Sequence, residues 1–202
     1  GRLKDHQDYA HVADIHSDNY YPVPVAPVTG VVRYADSTIN GSGKLGWQWI
    51  QMCPLQEKPH NRPPTIIEAR CMTYLAVSRG ISGINYFAFH YMGKDWTWWV
   101  TDNPATYAQW ADLTAELKRL TPYLVSPKAP GEIKTEITEG PGDGLYTSLR
   151  QTETGYFLIA VNAATTAMKA RFAIPVPERK FAPQAAVRSE NRLINVTDGV
   201  FE

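Results

Sequence analysis

LGWQWIQMCP, residues 45–54, is the stretch on which the reading of the chain turns. Trp47 and Trp49 alternate with Gly46, Gln48 and Ile50, a period of two that belongs to a strand, and the run ends in a polar side chain ahead of the proline-rich segment CPLQEKPHNRPP. A strand that stops on a polar residue before a long loop is how a parallel α/β architecture delivers a functional group. The group here is Gln51, an amide, which cannot ionise. Trp47 and Trp49 share its parity, so all three side chains belong to one face of the strand.

Working outward, a strand followed by a helical or loop segment recurs on both sides. Upstream, HVADIH (residues 11–16) reads as a strand opening into SDNYYPVP, and residues 28–39 read as an irregular helix. Downstream, residues 65–78 read as a helix: Thr65 caps it, prolines precede it, Glu68 suits its positive end, and Ile66, Ala69, Tyr74 and Val77 recur at helical spacing. Arg79 and Gly80 end it, and residues 81–90, mostly apolar, read as a strand covered on both faces. The tryptophan-rich KDWTWW then leads to a last helix from Asn103 or Pro104 to Leu120. Its inward positions are Ala105, Ala108, Leu113, Leu117 and Leu120, and Pro122 is its stop.

Three such units, with long loops after the strands, predict the last three to four units of an α/β fold, the (β/α)8 TIM barrel. The eight units of that fold take about 250 residues, roughly twice the ~120 available here. In a barrel with Gln51 at the mouth, Trp49 is a floor residue and Trp47 belongs to the core. A three-strand parallel sheet leaves an edge and apolar surface bare, so the expected partner is the N-terminal barrel half, from the same gene product or a second chain. A small open α/β sheet that closes against the C-terminal segment is the alternative. From residue 126 helical periodicity gives way to Pro and Gly punctuation. LYTSLRQ, YFLIAVN and MKARFAIPV follow at short spacing, with TETG as a turn between the first two. The chain is thus expected to comprise a partial (β/α) barrel over residues 1–125 and a small antiparallel β-sandwich over 126–202.

Charge and cysteine content exclude several functions. Lys plus Arg and Asp plus Glu number 20 each, so no basic field is available for nucleic acid or a membrane surface. No apolar run approaches the roughly 20 residues of a membrane span, and GRLKDHQDY is not a signal peptide. Cys53 and Cys71 lack CxxC spacing, the five His (6, 11, 16, 60 and 90) lack metal-ligand spacing, and NGSGK at 40–44 lacks the features of a phosphate loop. Neither metal nor cofactor is expected. Six Trp and eleven Tyr, concentrated in the first 125 residues and often beside turn signals, point instead to a surface for flat, apolar-faced ligands such as sugar rings.

The carboxylates of D14-IHSDNYYP-22 fit that ligand class. Two carboxyl groups at one pocket are the minimum for glycoside hydrolysis, one donating a proton to the leaving oxygen and one attacking or activating water. Asp14 reads as a structural cap; Asp18 reads as a catalytic or substrate-orienting carboxylate, with His16 and Tyr20 as neighbouring substrate contacts. DIHSDNYYP, GWQWIQMCP (46–54), EARCMTYLAVSRGISGINYFAFHY (68–91) and YAQWADLTAELKRLTPYL follow one another in an order that resembles clan-A glycoside hydrolases, notably the microbial β-galactosidases of family forty-two and their relatives. The resemblance covers most of the chain. It implies a barrel whose seventh strand ends at Gln51 and whose eighth is the strand before Tyr91, followed by a small β-domain. It also places the family's nucleophile on Gln51, where no covalent glycosyl intermediate can form, and the family's general acid on an earlier strand, upstream of residue 1.

The function expected is that of a glycoside hydrolase barrel acting on O-glycosidic bonds of an oligo- or polysaccharide, in the periplasm or outside the cell if the substrate is a polysaccharide. A non-catalytic carbohydrate-binding barrel or supporting subunit is the alternative. Asp18 is the catalytic candidate. His16, Tyr20, Trp49, Gln51, His90, Tyr91, Trp96 and Trp98 are the substrate-binding candidates, with Gln51 and His90 on hydroxyls and the tryptophans shaping or stacking the sugar site.

Overall fold

The structure, a computed structural model, describes residues 2–55, 62–92, 97–175, 181–188 and 190–202. The chain divides into two compact units, Gly1–Val125 and Ser126–Glu202. The first runs α1 (Arg2–Asp8), β1 (Ile15–Tyr20), α2 (Val31–Ser42), β2 (Leu45–Gln51), α3 (Ile66–Arg79), β3 (Gly83–Phe87), β4 (His90–Met92), β5 (Thr97–Trp99) and α4 (Pro104–Leu124).

Strands β1, β2 and β3 form a parallel sheet in that order, with Ser17 opposite Trp47 and Trp47 opposite Gly83. Helix α2 connects the first pair and α3 the second, as parallel pairing requires. Among the described residues β1 and β3 each pair only with β2, so the outer edges are open and no closed barrel is formed. Two glycines make room for neighbouring side chains, one from a helix and one from the adjacent strand. A Cβ at Gly46 would lie 2.6 Å from the Ile39 side chain of α2, and one at Gly83 would lie 2.5 Å from the Trp47 ring on the opposite face.

Strand β1 begins at Ile15, four residues later than the alternation of HVADIH suggests, and Tyr9 and Val12 close a turn instead. Its inward positions are His16 and Asp18, polar residues that mask the hydrophobic period. α3 carries the full capping box: Thr65 Oγ1 accepts from Glu68 N at 3.2 Å and the Glu68 carboxylate accepts from Thr65 N at 2.8 Å. α4 buries Trp110, Leu113 and Leu120 while Ala105 and Ala108 stay exposed, because one large aromatic ring sets which face turns inward. The helix also runs past Pro122 to Leu124. Pro122 sits in the final turn, where Val125 N still reaches Thr121 O at 3.0 Å.

The core under α3 and α4 joins Met52, Ala69, Val100, Trp110 and Leu113, with Tyr86, Trp98 and Leu117 packed against it. The two helices are clipped together by Arg70, whose guanidinium donates twice to Glu116 at 2.7 Å, while the Tyr74 hydroxyl donates to the same carboxylate. Arg70 holds the Glu116 carboxyl below its ordinary range, and burial, then the Glu116 contact, pushes the Tyr74 phenol well up. Among the described residues no helix is long and apolar enough to cross a membrane.

The second unit contains β6 (Lys134–Glu139), β7 (Leu145–Gln151), β8 (Tyr156–Asn162), β9 (Lys169–Ala173), β10 (Gln184–Val187), β11 (Arg192–Asn195) and β12 (Val200–Phe201). Among the described residues its strand pairs are all antiparallel, in three small sheets: β7–β8, β12–β9–β6 and β10–β11. TETG is the turn of the β7–β8 hairpin, with Gln151 opposite Tyr156. Leu149, Ile159 and Val161 are its buried apolar positions.

Candidate functional site

The face of the β1–β2–β3 sheet turned away from the helices carries Ile15, Ser17 and Asn19, then Leu45, Trp47 and Trp49, then Gly83, Asn85 and Phe87. Trp47 and Trp49 are 38% and 36% exposed. At the carboxyl ends of the strands this face gathers an aromatic cluster. Tyr21 stacks on Phe87 with ring centroids 5.3 Å apart, and Trp49 and Tyr91 meet the edges or faces of Phe87 at 6.4 and 6.0 Å in T-shaped arrangements. Burial pushes the Tyr21 phenol above its ordinary value, against the pull of the Asn19 side chain. Among the sequence candidates, Trp49 and Tyr91 come together here. Tyr21 and Phe87 were not among the candidates. Their signal is parity: with β1 starting at Ile15, Tyr21 continues the series of Ile15, Ser17 and Asn19, and Phe87 lies opposite Gln51.

Gln51 is fully buried beside the cluster. Its Oε1 accepts from Val23 N at 2.8 Å, and its Nε2 donates to Val23 O at 2.9 Å and Cys53 O at 3.1 Å. Both amide protons and one acceptor site are therefore committed to backbone. Three residues earlier, on the other face, Gln48 is also fully buried and donates to Asp18 O at 3.1 Å. Among the described residues Gln48 Oε1 and Asn85 Nδ2 are buried without a hydrogen-bond partner.

The catalytic candidate lies on the helix-covered face. Asp18 is 6% exposed, its Oδ1 accepts from Asn19 N at 2.7 Å, and its Oδ2 lies 3.4 Å from His6 Nε2. Thr38 Oγ1 is 3.5 Å from the same nitrogen and spends its own proton on Tyr34 O at 3.0 Å. The His16 ring meets His6 edge-on at 5.8 Å, and its Nε2 is buried without a hydrogen-bond partner among the described residues. Tyr20 shares this face: its ring stacks on Tyr34 at 4.6 Å and its hydroxyl donates to Pro27 O at 2.9 Å. Asp14 is exposed just before β1, at the end remote from the aromatic cluster.

In the antiparallel β4–β5 pair, Trp99 stacks on His90 at 3.7 Å, and His90 Nε2 is buried with no partner among the described residues. Trp98 packs against the core under α3 and α4. Trp96 lies outside the described residues. Chemically, the open face offers aromatic surface with a neutral amide behind it, while the ionisable Asp18–His6 pair sits on the opposite face of the sheet. Among the described residues no group of three or more His, Cys, Asp or Glu side chains is placed to hold a metal ion. No family model, curated protein or solved structure matches the chain.

Proposed function

We propose that residues 1–125 are the sugar-binding part of a glycoside-hydrolase-type (β/α) barrel, and that the aromatic cluster at the carboxyl ends of its parallel strands binds a ring of an oligo- or polysaccharide. The observation that carries this reading is the cluster of Tyr21, Phe87, Trp49 and Tyr91 on the helix-free face, at the end of the sheet where parallel α/β folds bind ligands. Aromatic faces suit the apolar C–H faces of sugars, and partial exposure keeps Trp49 within reach of a ligand. Further strands on the open edges of β1 and β3 would complete the barrel and supply the acid and the nucleophile.

Binding without hydrolysis by this chain is the reading favoured by one further observation: Gln51 cannot ionise and Asp18 faces the helices. Titration of the tryptophan fluorescence with cellohexaose, xylohexaose and a galacto-oligosaccharide tests the proposal. At least one should shift the emission, and Trp49→Ala should weaken that binding about tenfold, ~1.4 kcal/mol. No response to any of the three, or an unchanged affinity in Trp49→Ala, overturns it.

A further inference from the structure

We propose that Gln51 is a positioning residue for the aromatic cluster, fixing Tyr21 against Phe87 through a side-chain clamp on Val23. The ligand part of this inference rests on the sugar-binding reading above; the clamp itself does not. Residues 51–53 hold both members of the stacked pair. The Gln51 amide pairs with both the N–H and the C=O of Val23, two residues beyond Tyr21. The main-chain N–H groups of Met52 and Cys53 both donate to Phe87 O, at 2.5 and 3.3 Å.

The connection from Val23 back to Tyr21 is stiff. Pro22 between them is fully buried with its φ fixed by the ring, and its carbonyl accepts from Val25 N at 2.7 Å and Ala26 N at 2.8 Å. The clamp also explains why the position carries an amide. A carboxylate would face Val23 O and Cys53 O, 2.9 and 3.1 Å from the present Nε2, with no proton to donate and a charge in a fully buried site. An alkyl chain would leave the Val23 pair unsatisfied. Gln51 thereby acts on a ligand indirectly, through the ring it places.

A double-variant cycle over Gln51→Met and Tyr21→Ala separates positioning from general destabilisation. In ligand-free protein, Gln51→Met should remove the same near-ultraviolet circular dichroism that Tyr21→Ala removes, with no further loss in the double variant. With the best-binding of the three sugars above, Gln51→Met should weaken binding about tenfold alone and less than about twofold in the Tyr21→Ala background. Equal losses in both backgrounds, or an unchanged dichroism in Gln51→Met, overturn the proposal. If none of the sugars binds the unsubstituted protein, the sugar-binding reading fails and the dichroism still decides the clamp. Should Gln51→Met not fold, hydrogen exchange of the unsubstituted protein provides the test. Val23 N–H should exchange as slowly as the amide of Ile50, and exchange at the rate of an open loop overturns the clamp.

Discussion

On the face of the parallel sheet covered by α2 and α3, His16, Asp18 and Gln48 are less than a tenth exposed, whereas on the other face Leu45, Trp47 and Trp49 keep 59%, 38% and 36% of their surface. Polar side chains are thus buried on one face and large apolar ones exposed on the other, although Ile50 is buried among the former and Ser17 and Asn19 stay exposed among the latter. The polar side holds together because most of its groups have assigned partners: His6 and Asn19 N on Asp18, Asp18 O for the Gln48 amide. Burying such groups costs about 1–3 kcal/mol wherever a partner is missing. On the apolar side the tryptophans bury part of their rings against Phe87 and Gly83, and covering the remaining exposed surface would stabilise them further. A buried polar layer is thus compatible with a fold, while an open aromatic layer leaves surface free for the ligand proposed above.

The sharpest test of this contrast compares one residue from each side. Ile50→Ala, at a fully buried position, should cost about 3 kcal/mol in a urea unfolding curve. Trp47→Ala, on the open face, should cost about 1 kcal/mol or less despite removing more atoms. Equal losses would mean that the open face is core in the isolated chain. Next in size is Asp18→Asn, which keeps the shape but removes the charge next to His6. It should lower stability by about 2 kcal/mol and leave the sugar-dependent fluorescence unchanged; lost sugar response with undiminished stability would move Asp18 into the binding site.

How far the sequence anticipated these two faces depended on which force set the pattern. β2 was legible because its large rings alternate with small or polar residues. The start of α3 was legible because Thr65 and Glu68 form a cap by local chemistry alone. The start of β1 was masked because its buried positions are His16 and Asp18, whose neighbour His6 comes from α1. The same distance effect hid Tyr21 and Phe87, which meet only once β1 and β3 flank β2. In α4, Trp110 outweighed the alanines as the anchor, and that choice depends on the Tyr86 ring it packs against, with centroids 4.9 Å apart, rather than on the helix's own sequence.

The smallest effect expected lies off the sheet and calibrates the others. Arg62, followed by Thr65, holds the Glu68 carboxyl down at about 2. Its folded value is below its unfolded one, so its contribution is complete above about pH 4.5 and fades as pH falls from there toward 2. Glu68→Ala should cost about 1 kcal/mol at neutral pH and nearly nothing near pH 2, as read from unfolding midpoints across that range. A loss that stays constant with pH would show that the carboxylate is not the source of the effect.

The pairing of Asp18 with Gln48 spans 30 residues, and this separation governs the order in which the chain can organise itself. Closing a loop of that length costs about 1.6 kcal/mol more entropy than closing the roughly five-residue loop of the β7–β8 hairpin. The hairpin can form in microseconds from its own turn, while each parallel pair must wait for an entire connecting helix. During that delay the edges of β1 and β3 and the tryptophans of β2 are all unprotected at once. The aromatic face proposed to bind a sugar is, for a newly made chain, also an adhesive surface.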